Sequence, residues 1–391
     1  MATAFATTAQ GTRDGMAEGL PRLDSLTGLR FFAAWLVLQH HFTNFAIIPG
    51  LDRFTGFGAT GVTFFFVLSG FVLTWSFRAS DTPRRFYWRR FARIWPLHVV
   101  TTLLALPVFY AWRDVPMDWT AVGLSILLLH AWVPTATTYF AGNPASWSLS
   151  CEMFFYALHP LFIRRAVRLG IVALGVAAVA VLVGLYVVAD WSSVLSDRVQ
   201  GWLLYISPLF RLGEFVLGVG LAIAVKRGLR VPIGVLPAVA LLGAWIVFYY
   251  QVSPDYLSAQ QREYVAYLDF AALPALYALI IAAAAQLDLR QVPSLLRGRM
   301  MVWLGQWSYA LYLIHATIIY ALIEWIGPRS TSVLNVGWLG VVTAVCVAAS
   351  AALYYVVEHP VEQYLRNLQR APSRVPEPAT VDVLPGLTPG S

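Results

Sequence analysis

Nine stretches of this chain are apolar over roughly the length a helix needs to cross a bilayer, and clusters of arginine separate them in alternation. A crossing takes about 20 predominantly apolar residues. Runs near Gly28 to Ile48, Gly58 to Phe77, Leu97 to Ala111, Gly170 to Val188, Trp202 to Val225, Val231 to Tyr250, Tyr267 to Leu287, Met301 to Ile323 and Val336 to Val357 reach or approach that length. An ordinary soluble domain is excluded: charged residues make up 12% of the chain and hydrophobic ones 59%, where a soluble domain carries about a quarter charged. The expected fold class is all-α, a polytopic integral membrane protein. Two further segments, Trp119 to Trp132 and Trp147 to Ile163, are short for a crossing and carry polar residues.

Arginine placement sets the orientation and the count. Arg78, Arg84, Arg85, Arg89, Arg90 and Arg93 form one loop, Arg164, Arg165 and Arg168 a second, Lys226, Arg227 and Arg230 a third, and Arg290, Arg297 and Arg299 a fourth; Arg366 and Arg370 follow the last run. Basic loops stay on the cytoplasmic side. The loops between them balance Asp52 with Arg53, Arg113 with Asp114 and Asp118, Asp190 and Asp197 with Arg198, and Asp255 and Glu263 with Arg262, and are expected to face outward. With Arg93 and Arg164 on one side, the chain crosses an even number of times between them. Only one of the two short segments then spans, the other being re-entrant or packed within the protein, where irregular backbone is tolerated at membrane depth. Ten crossings follow, with both termini cytoplasmic at the plasma membrane.

Three regions are expected. Residues 1–25 are a polar tail without the basic start and early apolar stretch of a cleaved signal peptide, so the first helix is read as an uncleaved anchor. Residues 26–366 form the membrane domain. Residues 367–391 are rich in Pro and Gly and read as disordered. Cys151 and Cys346 lie in separate apolar stretches without metal-ligand spacing and read as buried packing residues.

An ionisable side chain in the hydrocarbon costs at least a few kcal/mol, which makes each one a candidate for function. Arg30 and His41 lie eleven positions apart in the first run, so on a helix they share a face, offset by about 20° and separated by about 16 Å of rise. His40 points about 100° away from His41 and cannot do the same job; helix packing is its plain reading. Arg90 and Arg93, three apart at the mouth of the third run, suit a bidentate grip on a diphosphate, although a basic segment also serves topology and lipid contact. Glu152 needs a partner if buried: it could orient an imidazole, bind a cation or pair with Arg211. Arg211 and Glu214 stand one turn apart and can neutralise each other. His315 and Glu358 are further candidates, for a substrate-facing or a structural role.

At these residues the chain resembles the membrane-bound acyltransferase 3 family. The resemblance runs from Leu26-Thr27-Gly28-Leu29-Arg30 with His41, through Gly61 to Phe71, Arg90-Phe91-Ala92-Arg93 and Trp147 to Tyr156. It continues through Arg211 to Gly218, Leu304 to His315, and Glu358-His359-Pro360. It implies a ten-helix domain that carries acyl groups, usually acetyl from cytoplasmic acyl-CoA, to sugar hydroxyls in surface glycans, glycolipids or antibiotics. His41 matches the family's catalytic histidine, Arg30 its companion, and Arg90 and Arg93 its paired arginines. The wording around Arg30 and Gly61 to Trp75 is similar to actinomycete members that acylate macrolide antibiotics. The co-substrate implied is acyl-CoA, with no metal. The partners implied are a glycoside or macrolide acceptor and the lipid bilayer, with no nucleic acid.

The mechanism expected places CoA phosphates on Arg90, Arg93 and Arg30, with the pantetheine arm along the Arg30 to His41 face. His41, neutral near pH 7, serves as general base with Glu152 as its orienter; an acyl-histidine intermediate is the alternative. The competing class is a transporter or flippase for a lipid-linked or amphipathic glycoside, in which the same intramembrane charges line a path. No inverted repeat or matching pair of broken helices supports it.

Overall fold

The computed structural model describes residues 21–78 and 80–368, so most of the polar N-terminal tail and nearly all of the Pro/Gly-rich tail lie outside the described residues. Among the described residues the chain is helical, with a single isolated bridge between Ala46 and Arg329 as its only strand-like pairing. The first run folds as α1 (Asp24–Phe42), shorter than the apolar pattern suggested. A 3-10 segment, Asp52–Thr60, then leads directly into α2 (Gly61–Trp75).

The arginine-rich segment is helix rather than loop. Thr82 caps α3 (Pro83–Leu106), its hydroxyl accepting from the Arg85 amide at 3.4 Å, and Pro83 occupies the first helical position, where its missing N–H costs nothing. Arginine is a good helix former, so the polar half of α3 joins the apolar half without a break, and a π turn extends it through Ala111. Of the two doubtful segments, the first yields only α4 (Trp119–Ile126), eight residues and about 12 Å long, with a 3-10 turn at His130–Trp132 and the short α5 (Ala136–Tyr139) behind it. The second is the continuous twenty-residue α6 (Trp147–Ala166).

The rest follows the hydropathy. α7 (Ile171–Trp191) is followed by the short α8 (Asp197–Gly201), and Pro208 starts α9 (Pro208–Lys226) after an irregular turn. α10 (Val235–Val247), α11 (Ser253–Tyr256), α12 (Ala259–Leu289), α13 (Arg299–Ile326), α14 (Asn335–Leu353) and the amphipathic α15 (His359–Asn367) complete the chain. Eight helical runs among the described residues are long and apolar enough to cross a membrane. The long helices outside that set are α1 and α6, which carry Arg30, His40 and His41 and Glu152 and His159 respectively. Their low hydropathy is that of helices buried against protein rather than lipid.

Close backbone contact ties the bundle together, as small residues permit in membranes. A side chain at Gly70 of α2 would strike the Phe215 carbonyl of α9, and one at Gly218 of α9 would strike the Val67 carbonyl of α2. In the same way, α13 approaches α1 where Gly305 meets the Thr27 carbonyl. From that crossing α1 and α13 rise side by side.

The two ends of the bundle differ in charge. At one, Trp75 donates to the Pro21 carbonyl at 3.3 Å, Lys226 to that of Thr74 at 2.8 Å, Arg227 to that of Val167 at 2.7 Å and Trp88 to that of Leu365 at 2.7 Å. There too Asp288 takes the Ser25 amide and hydroxyl at 2.8 and 2.9 Å and pairs with Arg297 at 3.2 Å. The arginine clusters and both ends of the described chain therefore gather on one side. At the other, Arg53 meets Gln251 at 3.2 Å, Arg113 pairs with Glu324 at 3.1 Å, and the Arg329 amide donates to the Phe45 carbonyl at 2.7 Å.

Candidate active site

A cavity of about 170 Å³ opens among α1, α2, α3, α6 and α13, and its polar lining includes Arg30, Arg90, Arg93, Glu152, Tyr156, Tyr309 and Tyr312. Residues from four distant parts of the sequence meet there because α3 turns its Arg90 and Arg93 face toward the early turns of α1, while α6 and α13 close the sides. The position is the half of the bundle nearer the arginine-rich end.

The three guanidiniums are not equivalent. Arg93 lies 2.8 Å from Glu358 and 3.0 Å from Glu362, and its guanidinium stands 6.0 Å from the centre of the Tyr309 ring. Glu362 is shared with Arg366 at 2.6 Å. Arg30 makes no hydrogen bond or ion pair with another described residue. Arg90 rests over the Phe86 ring at 6.0 Å, and its Nε is buried without a partner. The cavity thus holds two guanidiniums whose charge no bonded carboxylate cancels, and a third that is already matched by two.

Glu152 is held by Tyr156, whose hydroxyl donates to Oε2 at 2.6 Å and in turn accepts from Ser69 at 3.4 Å. It therefore neither orients His41 nor pairs with Arg211, two of the roles the sequence left open to it. Arg211 instead pairs with Glu214 at 2.5 Å, donates through Nε to the Tyr205 carbonyl at 2.9 Å and shares Thr63 with Glu214. Both members are almost fully buried, 3% and 2% exposed, and neither lines the cavity. Through Thr63 that pair joins α9 to α2.

His41 lies outside the cavity, in the last turn of α1. Its ring stands 5.1 Å from that of His315, centre to centre, and the His315 ring stands 5.9 Å from that of Tyr312, which lines the cavity. The α13 ridge Tyr309, Tyr312, His315, spaced three apart, thus runs from the arginines to His41. His40 turns toward the 3-10 segment, where Gly58 packs on its Cβ. The two neighbouring histidines have different surroundings, as the 100° step implies.

Glu362, Tyr156, Tyr309 and Tyr312 went unnoticed as site residues in the sequence. A signal was present in the four-residue spacings Glu152 to Tyr156 and Glu358 to Glu362, which place each pair on one helical face.

The family model of the acyltransferase domain matches residues 23–355. Acyltransferase MdmB of Streptomyces mycarofaciens is 33% identical across 95% of this chain and the whole of the relative. Nodulation protein 10 of Rhizobium leguminosarum bv. viciae is 27% identical across 85% of this chain and 91% of that one. Exopolysaccharide production protein ExoZ of Rhizobium meliloti (strain 1021) is 30% identical across 46% and 53% of the two. No solved structure matches.

Proposed function

Since the chain belongs to the acyltransferase 3 family, we propose that it transfers an acetyl or other short acyl group from cytoplasmic acyl-CoA to a hydroxyl of a glycoside, such as a macrolide antibiotic or a surface glycan. The observation that carries this reading is the pair Arg30 and Arg90, two guanidiniums without bonded counter-charge in one cavity. A buried cation is costly unless it is paired, and the anionic phosphates of a CoA donor supply that pairing with charge-assisted hydrogen bonds. The cavity sits toward the arginine-rich end, which the positive-inside rule assigns to the cytoplasm, where acyl-CoA is available. Counted with α1 and α6, the crossings number ten and both chain ends are cytoplasmic.

His41 is the general base in this reading. It takes the proton of the acceptor hydroxyl while the oxygen attacks the thioester carbonyl; the carbon–sulfur bond breaks, and the departing CoA thiolate recovers a proton. Arg30 and His41 are about 16 Å apart along α1, the reach of an extended pantetheine arm. At about 30 Å³ for each water, a cavity of about 170 Å³ has room for roughly six. That suits part of the donor and leaves a bulky acceptor to approach His41 from the opposite end or from the lipid.

The test is purified protein in detergent with acetyl-CoA and a panel of macrolide glycosides. Release of free CoA that depends on acceptor, together with an acetylated product by mass spectrometry, is the expected result; acceptor-independent or absent release overturns the reading. Sidedness is tested separately with single cysteines in a background lacking Cys151 and Cys346. An impermeant thiol reagent should label positions 52 and 255 on intact cells but not 85 or 297.

A further inference from the structure

Among the groups outside the cavity, the two imidazoles at the top of the α1–α13 seam carry the strongest unused chemistry. His315 is fully buried. Its Nδ1 lies 3.2 Å from the Leu311 carbonyl, one turn back in α13. A carbonyl only accepts, so Nδ1 carries the proton, and in the neutral ring Nε2 is left as an acceptor. That Nε2 is buried with no partner. On the neighbouring ring, 5.1 Å away, His41 has its own Nδ1 buried with no partner. His40 is the other ring against His41, edge-on at 5.2 Å.

An unsatisfied buried polar atom is costly, and these two orphans stand on adjacent rings with complementary capacity once the His315 tautomer is set. We propose that His315 is the positioning residue for His41: its Nε2 accepts the Nδ1 proton of His41 after a small rotation of that ring. His41 is then held in the tautomer whose lone pair is on Nε2, the nitrogen not sealed in the seam. This builds on the reading of His41 as the general base. It replaces the carboxylate that commonly orients a catalytic imidazole with a second, neutral imidazole, whose own tautomer is dictated by helix backbone. The proton shared between the rings does not move during transfer; only the acceptor proton arrives at Nε2 of His41 and leaves it.

The experiment is a long-range proton–nitrogen correlation spectrum of the full chain in detergent micelles with 15N-labelled histidine. His41 and His315 are assigned by their loss in His41→Ala and His315→Leu. Both rings are expected to report the Nδ1-protonated tautomer in the parent protein. In His315→Leu the His41 signal should move to the Nε2-protonated or averaged pattern, and in His315→Gln, whose amide oxygen can replace the lost acceptor, it should return. Acceptor-dependent CoA release should fall about 100-fold in the Leu variant with the KM for acetyl-CoA unchanged, and should be partly restored by Gln. A parent spectrum with His41 protonated on Nε2 overturns the inference even if His315→Leu fails to fold, as does a His41 signal indifferent to both substitutions. Because the tautomer is read without any reaction, those results leave the acyltransferase reading standing; full activity in His41→Ala is the result that removes the general base itself.

Discussion

The membrane interior holds two groups of arginines and carboxylates, and they are built on opposite principles. Arg211 and Glu214 match one to one, with Thr63 and the Tyr205 carbonyl taking up spare bonding capacity, and neither lines the cavity that holds Arg30 and Arg90. Around the cavity the match is deliberately uneven: Arg93 takes both Glu358 and Glu362, while Arg30 and Arg90 take neither. A charge inside a membrane is therefore not in itself a sign of chemistry. What separates the two groups is whether each guanidinium is bonded to a carboxylate.

The largest expected effect falls on the closed pair. Arg211→Met strands the Glu214 carboxylate and should destabilise the fold by about 3–5 kcal/mol, whereas Arg211→Met combined with Glu214→Met should recover most of that loss. Thermal unfolding in detergent is the measurement, and a double variant no better than the single one would break the contrast by showing that the pair does more than cancel itself. Next comes His41→Ala, expected to lower acyl transfer by at least about 10²–10⁴-fold with unfolding unchanged; His40→Phe should keep substantial activity. Equal losses in the two would end the assignment of His41 as sole base.

Smaller effects sharpen the distinction within the open group. Arg30→Ala or Arg90→Ala should each raise the KM for acetyl-CoA about tenfold or more, the loss of one hydrogen bond to a charged group. Acetyl-pantetheine, which lacks the nucleotide phosphates, should be indifferent to both changes. The smallest is Glu358→Gln, which leaves Glu362 on Arg93 and should change that KM by no more than a few-fold. A change as large as that from Arg90→Ala would mean that Arg93 is not set apart from the other two.

The sequence made the membrane architecture legible because hydropathy and arginine placement act over whole segments, and a misplaced boundary at Ile48 or Leu97 does not alter them. It also singled out Arg30, Arg90, Arg93 and Glu152, which the fold brings to one cavity. What it left open was partnership. Nothing in the spacing shows that Glu358 belongs to Arg93, whose ion pair closes between helices at opposite ends of the chain. The same holds for His315 and His41, which meet only because α1 and α13 cross at Gly305. Helical extent was obscured for a different reason: α3 begins in a polar stretch held by Thr82 and Pro83, so hydropathy detected only its second half.

The pairing of Arg93 with α15 also bears on how the molecule comes into being. Arg93 emerges 269 residues before its partner Glu362, and Trp88, on the same helix, emerges 277 residues before Leu365, whose carbonyl it bonds. In a chain threaded into the membrane helix by helix, the arginine side of the cavity stays unfinished until α15 has been translated and folded back. Assembly of the arginine cluster then waits on the translation of α15, and a chain stopped after α14 would sit in the bilayer with Arg93 lacking both of its carboxylates.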